Sequence, residues 1–343
     1  MAREPLDETG YVAARSARQQ VSAQVGELAG SDVVEPSIPR RNGDPSPIIN
    51  AARTKLAVGI ATAGRPAILA QTMRRLQAQT RPPDAVIVCA PSEDDLCGIA
   101  KEDPRVIRAT GPHGLARQRN AILRHLRAFD LLVFFDDDFV PGADYLECFE
   151  RIMCSDPDVV MTTGQVLKDG IRGPGLTFEV ADSILSQAAT DCAADRLDPV
   201  YNGYGCNMGM RLAPVRRHGL AFDERLPLYG WLEDVDFSQQ LARFGRVVRS
   251  DATRGVHLGI KLGRQPGARL GYSQVANPLY LVRKGTMCWQ RALYLMSRNL
   301  AANILRSLRP EPWVDRRGRL NGNARALVDL ILGRLDPSRA TSL

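Results

Sequence analysis

Three consecutive aspartates, Asp136-Asp137-Asp138, directly follow an apolar run at residues 131–135. Five apolar residues with two aromatic side chains among them are typical of a buried strand. Three carboxylates at the end of a strand repel one another, and a cation would offset that repulsion. Oxygen ligands suit Mg²⁺ or Mn²⁺, and open α/β sheets bind ligands at the carboxyl ends of their strands. The triplet therefore predicts a divalent-metal site that carries a phosphate. The alternative is a solvated acidic turn.

The elements around the triplet alternate between strand and helix. Apolar runs predict strands at residues 55–61, 85–90 and 131–135, and helical spacing predicts helices at 68–79 and 115–126. Such alternation is typical of βαβ units around a parallel sheet. Further along the chain we expect the following elements: helices at 143–153 and 233–244, strands at 158–168, 205–212 and 246–250, a mainly helical stretch at 177–198, and a continuous helical stretch at 279–308.

The composition is that of a globular protein, with 343 residues of which 44% are hydrophobic. No apolar stretch reaches about 18 residues, so we expect no transmembrane helix. Charged residues interrupt the N-terminus before any signal-peptide pattern, which favours a cytoplasmic protein. The seven cysteines are dispersed and predict reduced thiols rather than a disulfide framework. Residues 1–50 are polar and rich in chain breakers, and we interpret them as a disordered or mobile arm.

Positive charge is concentrated towards the C-terminus. Residues 243–343 hold 19 Lys and Arg against 5 Asp and Glu, although the whole chain has a net charge of only +7. This asymmetry suggests that the C-terminal part faces something anionic. The candidates are a phosphate-bearing substrate, an anionic lipid surface and nucleic acid, and the simplest alternative is a solvated basic face.

Six features in chain order resemble one enzyme family. They are VGIATAGRP, GLARQRN, FFDDDFVP, GCNMGMR, FDERLPLYGWLEDVDFSQQLARFG and His257. Together they resemble the family-two inverting glycosyltransferases over residues 55–291. The Asp triplet and the Trp-Leu-Glu-Asp-Val-Asp segment about a hundred residues later are specific as a pair, whereas either alone would be weak.

The resemblance implies a GT-A fold, in which a mostly parallel central sheet is flanked by helices, here with a C-terminal helical appendage. It also implies a nucleotide-diphospho-sugar donor and Mn²⁺ or Mg²⁺. The family's metal motif corresponds to Asp136 and Asp138, with Asp137 between them on the donor side. Asp138 is the first choice for the metal, and Asp136 would also approach the ribose or sugar. His257 would complete the metal ligands, although a lone histidine is more often packed or exposed.

The resemblance places further donor-binding residues after the first two strands and near the start of the helix that leads to the metal strand. Thr62 and Arg65 would contact the nucleotide, or Arg65 could simply face water. The acidic residue that often recognises the base is absent from the second strand end, and Glu93, Asp94 or a main-chain group would stand in for it. Arg119 and Asn120 lie near the start of a helix, where Arg119 could clamp a phosphate or belong to a solvated face.

The resemblance assigns the residues that act on the acceptor to the Trp-Leu-Glu-Asp-Val-Asp segment. Asp234 corresponds to the general base, and Glu233 would orient the base or the acceptor. Trp231 could stack on a sugar ring, and Asn207 would also contact the acceptor. Both carboxylates lie at a predicted helix start, so a capping role is the structural alternative.

We therefore expect a metal-dependent inverting glycosyltransferase, with a catalytic domain at residues 51–275 and a helical appendage at 276–343. The acceptor would be a glycan, a lipid-linked sugar or a small molecule, as in cell-surface polysaccharide or glycolipid synthesis. The basic helical C-terminus could lie on the inner face of the cell membrane or simply pack on the sheet. The alternatives are a nucleotidyltransferase or other metal-dependent phosphoryl-transfer enzyme, and a non-enzymatic basic surface-binding module. No nucleic-acid-binding motif is recognisable, so no nucleic-acid partner is expected.

Overall fold

This computed structural model describes residues 53–99, 103–188, 196–261 and 266–343, and its strands form one nine-stranded sheet. The strands are β1 Leu56–Ala61, β2 Ala85–Ala90, β3 Val106–Thr110, β4 Leu131–Asp136, β5 Phe139–Pro141, β6 Val159–Asp169, β7 Leu197–Pro199, β8 Asn207–Arg211 and β9 Arg246–His257. Their order in the sheet is β3-β2-β1-β4-β8-β6-β9-β5, and β7 also pairs with β9.

The first half of the sheet is parallel and brings several strand ends together. Strands β3, β2, β1 and β4 are parallel neighbours, whereas β8 runs antiparallel between β4 and β6. Ala61 at the end of β1 is in register with Cys89 of β2 and with Asp136 of β4. The residues that follow β1 and β4 therefore meet at one edge of the sheet.

Nine α-helices accompany the sheet in the described residues. They are α1 Pro66–Gln77, α2 Leu115–Arg124, α3 Tyr145–Ser155, α4 Phe178–Gln187, α5 Leu212–Arg217, α6 Glu233–Leu241, α7 Gly267–Lys284, α8 Trp289–Ser307 and α9 Arg316–Ile331. Pro66 begins α1, where its fixed φ angle suits the first helical position. None of the described helices is both long enough and apolar enough to cross a membrane.

The core has one layer on each face of the sheet. Val58 and Ile60 of β1 pack with α1 on one face, whereas Ala57 of the same strand packs with Ile122 of α2 on the other. Successive side chains of a strand point to opposite faces, so an almost wholly apolar strand such as β1 is buried on both sides. This two-sided burial holds the strand ends rigidly in place.

The α/β architecture with a C-terminal helical region is confirmed. Two predicted elements differ in extent. The strand predicted at 246–250 continues to His257, because its second half pairs with β5 and β6. The helical stretch predicted at 279–308 is broken at Gly285, whose φ angle of 80° ends α7 in the left-handed conformation that glycine favours.

Two further predictions concern domains and cysteines. The predicted arm at residues 1–50 lies outside the described residues, and the predicted domain boundary at residue 275 falls inside α7. Five of the described cysteines are free thiols: Cys89, Cys97, Cys154, Cys206 and Cys288. Cys148 is disulfide-bonded, so the prediction that all the thiols are reduced is wrong at this position.

Candidate functional site

The pairing of β5 with β9 brings the Asp triplet to His257. Phe139, the residue after the triplet, is in antiparallel register with His257. The main-chain N–H of Leu258 donates to the Asp138 carbonyl oxygen at 2.9 Å, and the N–H of Ile260 donates to Asp138 Oδ2 at 2.8 Å. The end of β9 is thus fastened to the third aspartate by main-chain contacts.

Asp136, Asp138 and His257 form a group of potential metal ligands. One ligand atom from each of the three residues lies within 4.8 Å of the others. Oxygen and nitrogen ligands lie about 2.0–2.6 Å from a divalent metal, so three atoms at this mutual spacing can share one ion. Two carboxylates and an imidazole also suit Mn²⁺ or Mg²⁺ chemically. The residues present therefore fit a divalent cation.

Asp169 and Tyr204 hold the histidine from behind. Asp169 Oδ1 lies 2.9 Å from His257 Nδ1, and the Tyr204 hydroxyl donates to Asp169 Oδ2 at 2.9 Å. This leaves His257 Nε2 facing Asp138 Oδ1 at 3.5 Å. Metal-binding histidines characteristically have a carboxylate on the other ring nitrogen. The sequence analysis missed Asp169, although its position at the end of a predicted strand was a usable signal.

The two carboxylates also control the charge on the imidazole. Burial would lower the pKa of His257, but Asp138 and Asp169 together raise it to about 10. Burial likewise opposes ionisation of Asp138, yet the contact with His257 lowers the pKa of Asp138 to about 2. Without a metal, the pair is therefore held as imidazolium and carboxylate.

Asp137 lies beneath the group rather than in it. Its side chain is fully buried, accepts a hydrogen bond from Thr62 Oγ1 at 2.5 Å and pairs with Arg65 at 2.5 Å. Arg65 also reaches Asp138 Oδ2 at 3.3 Å. Burial raises the pKa of Asp137 to about 7, and Arg65 opposes this shift. In this geometry Thr62 and Arg65 fasten the end of β1 to the triplet.

Arg119 joins the triplet to the second acidic segment. It is 1% exposed, forms an ion pair with Glu233, lies 3.3 Å from Asp136 Oδ1 and donates to the Gly205 carbonyl oxygen at 2.7 Å. Its guanidinium also lies over the ring of Phe134 at 5.2 Å. Its predicted role as a phosphate clamp remains untested, and the structure places it as a buried cation between carboxylates.

Asp234 lies on the same side of the molecule as the triplet. Its carboxylate accepts hydrogen bonds from the N–H groups of Gly205 at 3.1 Å and Val235 at 2.8 Å. Burial raises the pKa of Asp234, while Arg119 lowers it less strongly. Burial also raises the pKa of Glu233 to about 8, again opposed by Arg119. For both carboxylates, burial raises the pKa and the charge of Arg119 partly offsets that shift.

A strained loop leads into these two acids. Leu228 and Leu232 have φ angles of 60° and 74°, in the left-handed region that leucine rarely adopts. The N–H of Leu115 at the start of α2 holds the Leu228 carbonyl oxygen at 2.9 Å, and Leu232 caps α6 directly before Glu233. Such outliers cluster at functional sites, where the surroundings hold them in place.

A cavity of about 1110 Å³ opens in front of the triplet. Asp136, Asp138 and His257 line one part of it, together with Tyr229 and Trp231 from the strained loop. The Tyr229 side chain is 51% exposed, which leaves it accessible from the cavity. Tyr229 is therefore a site residue that sequence reasoning missed, although it is adjacent to the predicted acidic segment.

Three further predicted residues, Asn120, Asn207 and Glu93, make their contacts outside the lining of the cavity. Asn120 holds the main chain of Phe222 by hydrogen bonds in both directions at 2.9 Å. Asn207 is fully buried against Thr163 and Gly164, and Glu93 is exposed and paired with Arg108. The structure does not bring these three residues into the lining of the cavity, and their binding roles stay predictions.

The comparisons support the resemblance. The model of the family "Glycosyl transferase family 2" matches residues 57–218, which confirms the family resemblance over that stretch. No curated protein matches the chain in sequence.

The structure of TarS 1–349 from S. aureus in complex with UDP-GlcNAc is 13% identical, covers 84% of each chain and has a TM-score of 0.51, which shows the GT-A fold. Mannosyltransferase PcManGT from Pyrobaculum calidifontis, in complex with GDP-Man and Mn²⁺, is 15% identical over 85% of this chain and 79% of its own, with a TM-score of 0.49. GalNAc-T7 with UDP, GalNAc and Mn²⁺ is 14% identical over 84% of this chain and 58% of its own, with a TM-score of 0.49.

Replacing Arg119 should destabilise the protein strongly. Arg119→Met would leave Glu233 buried without its cation, and removing one partner of a buried ion pair costs about 3–5 kcal/mol. Glu233→Gln in the same chain should recover part of that loss. Arg117→Met is the matched control, because the Arg117 side chain is 51% exposed and a surface pair contributes about 0–1 kcal/mol. Urea unfolding followed by circular dichroism measures the three variants, and equal stability of Arg119→Met and the control would contradict this account.

Proposed function

We propose that this protein is a metal-dependent inverting glycosyltransferase that moves a sugar from a nucleotide-diphospho-sugar to an acceptor hydroxyl. The observation that carries the proposal is that Arg119 pairs both with Asp136 of the metal-ligand group and with Glu233, which directly precedes Asp234. A metal-ligand group and a separate carboxylate pair are the two parts that such a displacement needs. The family match over residues 57–218 supports the same activity.

Asp136, Asp138 and His257 would hold the divalent ion, with Asp169 orienting the imidazole. A bound ion neutralises negative charge that develops on the diphosphate leaving group. Arg65, Arg172 and Lys261 also line the cavity, so the diphosphate would meet further basic side chains there. The donor's diphosphate would therefore lie over the ends of β1 and β4, with its sugar towards Asp234.

Asp234 would act as the general base. The acceptor oxygen forms a bond to the anomeric carbon, the bond from that carbon to the diphosphate oxygen breaks, and the electron pair leaves with the nucleoside diphosphate. The acceptor proton passes to Asp234, whose raised pKa brings it closer to the working pH of the enzyme. One displacement inverts the anomeric configuration. Glu233, held by Arg119, would keep the base and acceptor oriented.

The outer face of α8 favours a contact with a membrane surface. Trp289, Leu293, Ile304 and Leu308 occupy neighbouring positions around the helix axis, with exposures of 55%, 56%, 48% and 80%. The C-terminal hundred residues also carry the excess of positive charge. Exposed apolar side chains on a basic helix suit an anionic lipid surface. We therefore place the protein at the inner face of the cell membrane, where a lipid-linked acceptor would be accessible.

Removing the metal should abolish donor binding. Calorimetry with UDP and GDP should show affinity in Mn²⁺ or Mg²⁺ and none in EDTA. Asp169→Asn should weaken Mn²⁺ binding by about 10–100-fold, as expected for the partner of a metal-binding histidine. Asp158→Asn, a change at an exposed position outside the cavity lining, is the control. Nucleotide affinity that is unchanged by chelator would refute the metal assignment.

Replacing the base should stop transfer without preventing binding. Asp234→Asn should lower the transfer rate by at least about 10²–10⁴-fold, which is the usual contribution of a general base. Its affinity for nucleoside diphosphate and Mn²⁺ should stay within about twofold of wild type. The measurements are release of nucleoside diphosphate, calorimetry, and the anomeric configuration of the product by NMR. Near-normal turnover, release of pyrophosphate or a retained configuration would each count against the mechanism.

Shortening the apolar face of α8 should weaken membrane binding. Leu293→Ser with Leu308→Ser should reduce sedimentation with phosphatidylglycerol vesicles at least about tenfold, because each buried leucine contributes roughly 1.5–3 kcal/mol. Val180→Ser on α4 is the control, as Val180 is also an exposed apolar residue at 40%. Equal binding to neutral phosphatidylcholine vesicles would show that the positive charge does not contribute, and no loss in the double variant would show that α8 is not the contact.

A further inference from the structure

The cavity in front of the triplet continues to a second wall, which is built by α8 and the segment that joins it to α9. Arg298, Asn299 and Arg306 reach it from one face of α8, and Trp313 and Arg316 from the joining segment and the start of α9. Residues 298, 299, 302 and 306 lie within about a third of a turn of one another around the helix axis. This face is distinct from the apolar outer face of α8.

Two N–H groups in this wall are buried and have no acceptor among the described residues. They are Asn299 Nδ2 and Trp313 Nε1. A buried donor without an acceptor costs about 1–3 kcal/mol, so native structures rarely keep one without a reason. Both residues line the same cavity, and both unpaired groups are donors. A ligand that supplies oxygen acceptors would satisfy them.

The wall also carries more positive than negative charge. Arg306 and Arg316 share one carboxylate, that of Glu311, at 2.7 Å and 2.9 Å. Arg298 stacks on the ring of Tyr294 at 5.6 Å and has no carboxylate partner within the described part of the chain. Three guanidinium groups therefore face two carboxylates, those of Glu311 and Asp315, and the Asp315 carboxylate is already held by the N–H groups of Gly267 and Gly318. A guanidinium prefers planar, two-oxygen partners such as carboxylate and phosphate.

We propose that this wall binds an oxyanion, a phosphate or a carboxylate, on the acceptor substrate. The identification of the ligand as the acceptor rests on the proposed function, because that function assigns the donor's diphosphate to the metal end of the cavity. Unpaired N–H donors and an unpaired guanidinium match an anionic, oxygen-rich group and do not match a neutral sugar face. The acceptor would then be a sugar phosphate, a phosphate-linked lipid carrier or a uronic acid.

The first experiment measures oxyanion binding directly, in metal-free buffer without a carboxylate chelator, so that no bound ion contributes. Calorimetry of the full chain uses inorganic phosphate, inorganic pyrophosphate and glucuronate, with glucose as the neutral control. We expect saturable binding of at least one oxyanion and none of glucose. Strongest binding of the phosphates indicates a phosphate-bearing acceptor, and strongest binding of glucuronate a carboxylate-bearing one. No saturable oxyanion binding overturns the proposal.

The second experiment assigns that binding to the wall. Trp313→Phe keeps an aromatic ring but removes the N–H, and Arg298→Gln removes the unpaired charge. Each should weaken oxyanion binding at least fivefold, whereas Arg309→Gln, an exposed arginine outside the cavity lining, should not. Thermal unfolding confirms that all three variants are folded. Unchanged binding in both wall variants overturns the proposal.

The third measurement separates this inference from the proposed function. The affinity of the wall variants for UDP and GDP with Mn²⁺ should equal that of wild type. If it falls as much as oxyanion binding, the wall holds the donor and the acceptor assignment is wrong. If wild type binds neither nucleotide with metal, the proposed function fails even when the oxyanion site is present.

Discussion

Crowded negative charge at one edge of the sheet is the constraint on which the rest of this structure depends. Six carboxylates converge there, and the protein offsets them with three cations. Arg119 is an example, because its guanidinium is 1% exposed and pairs with Asp136 at the end of β4 and with Glu233 at the start of α6. The carboxylates are Asp136, Asp137, Asp138, Asp169, Glu233 and Asp234, and the cations are Arg65, Arg119 and His257.

Much of this arrangement could be predicted from the sequence, since the strongest signals are local. An apolar run that ends in Asp136 is a strand end by its own pattern, and neighbouring parallel strands bring such ends together. The predicted strand at residues 85–90 therefore has the observed bounds. His257 could be placed only through the family resemblance, because its contact with Asp138 depends on the antiparallel pairing of β5 with β9.

Other features depend on contacts between distant parts of the chain, which local patterns do not record. Strand β3 is only partly buried and contains Arg108, so it lacks the apolar run that marked its neighbours. Arg119 resembles any arginine on a helix until the fold places Glu233 beside it, 114 residues later. The break at Gly285 was also hidden, because glycine is tolerated inside helices and its left-handed conformation follows from how α7 and α8 pack.

The hydrogen bond from the Ile260 amide to Asp138 Oδ2 gives the molecule an internal reporter. Coordination of a cation by that carboxylate would withdraw electron density from the oxygen that the amide contacts. The exchange rate and NMR chemical shift of one backbone proton would then register occupancy of the ion without any turnover. Loading and chemistry in this protein can in principle be followed separately, by observing a single peptide group.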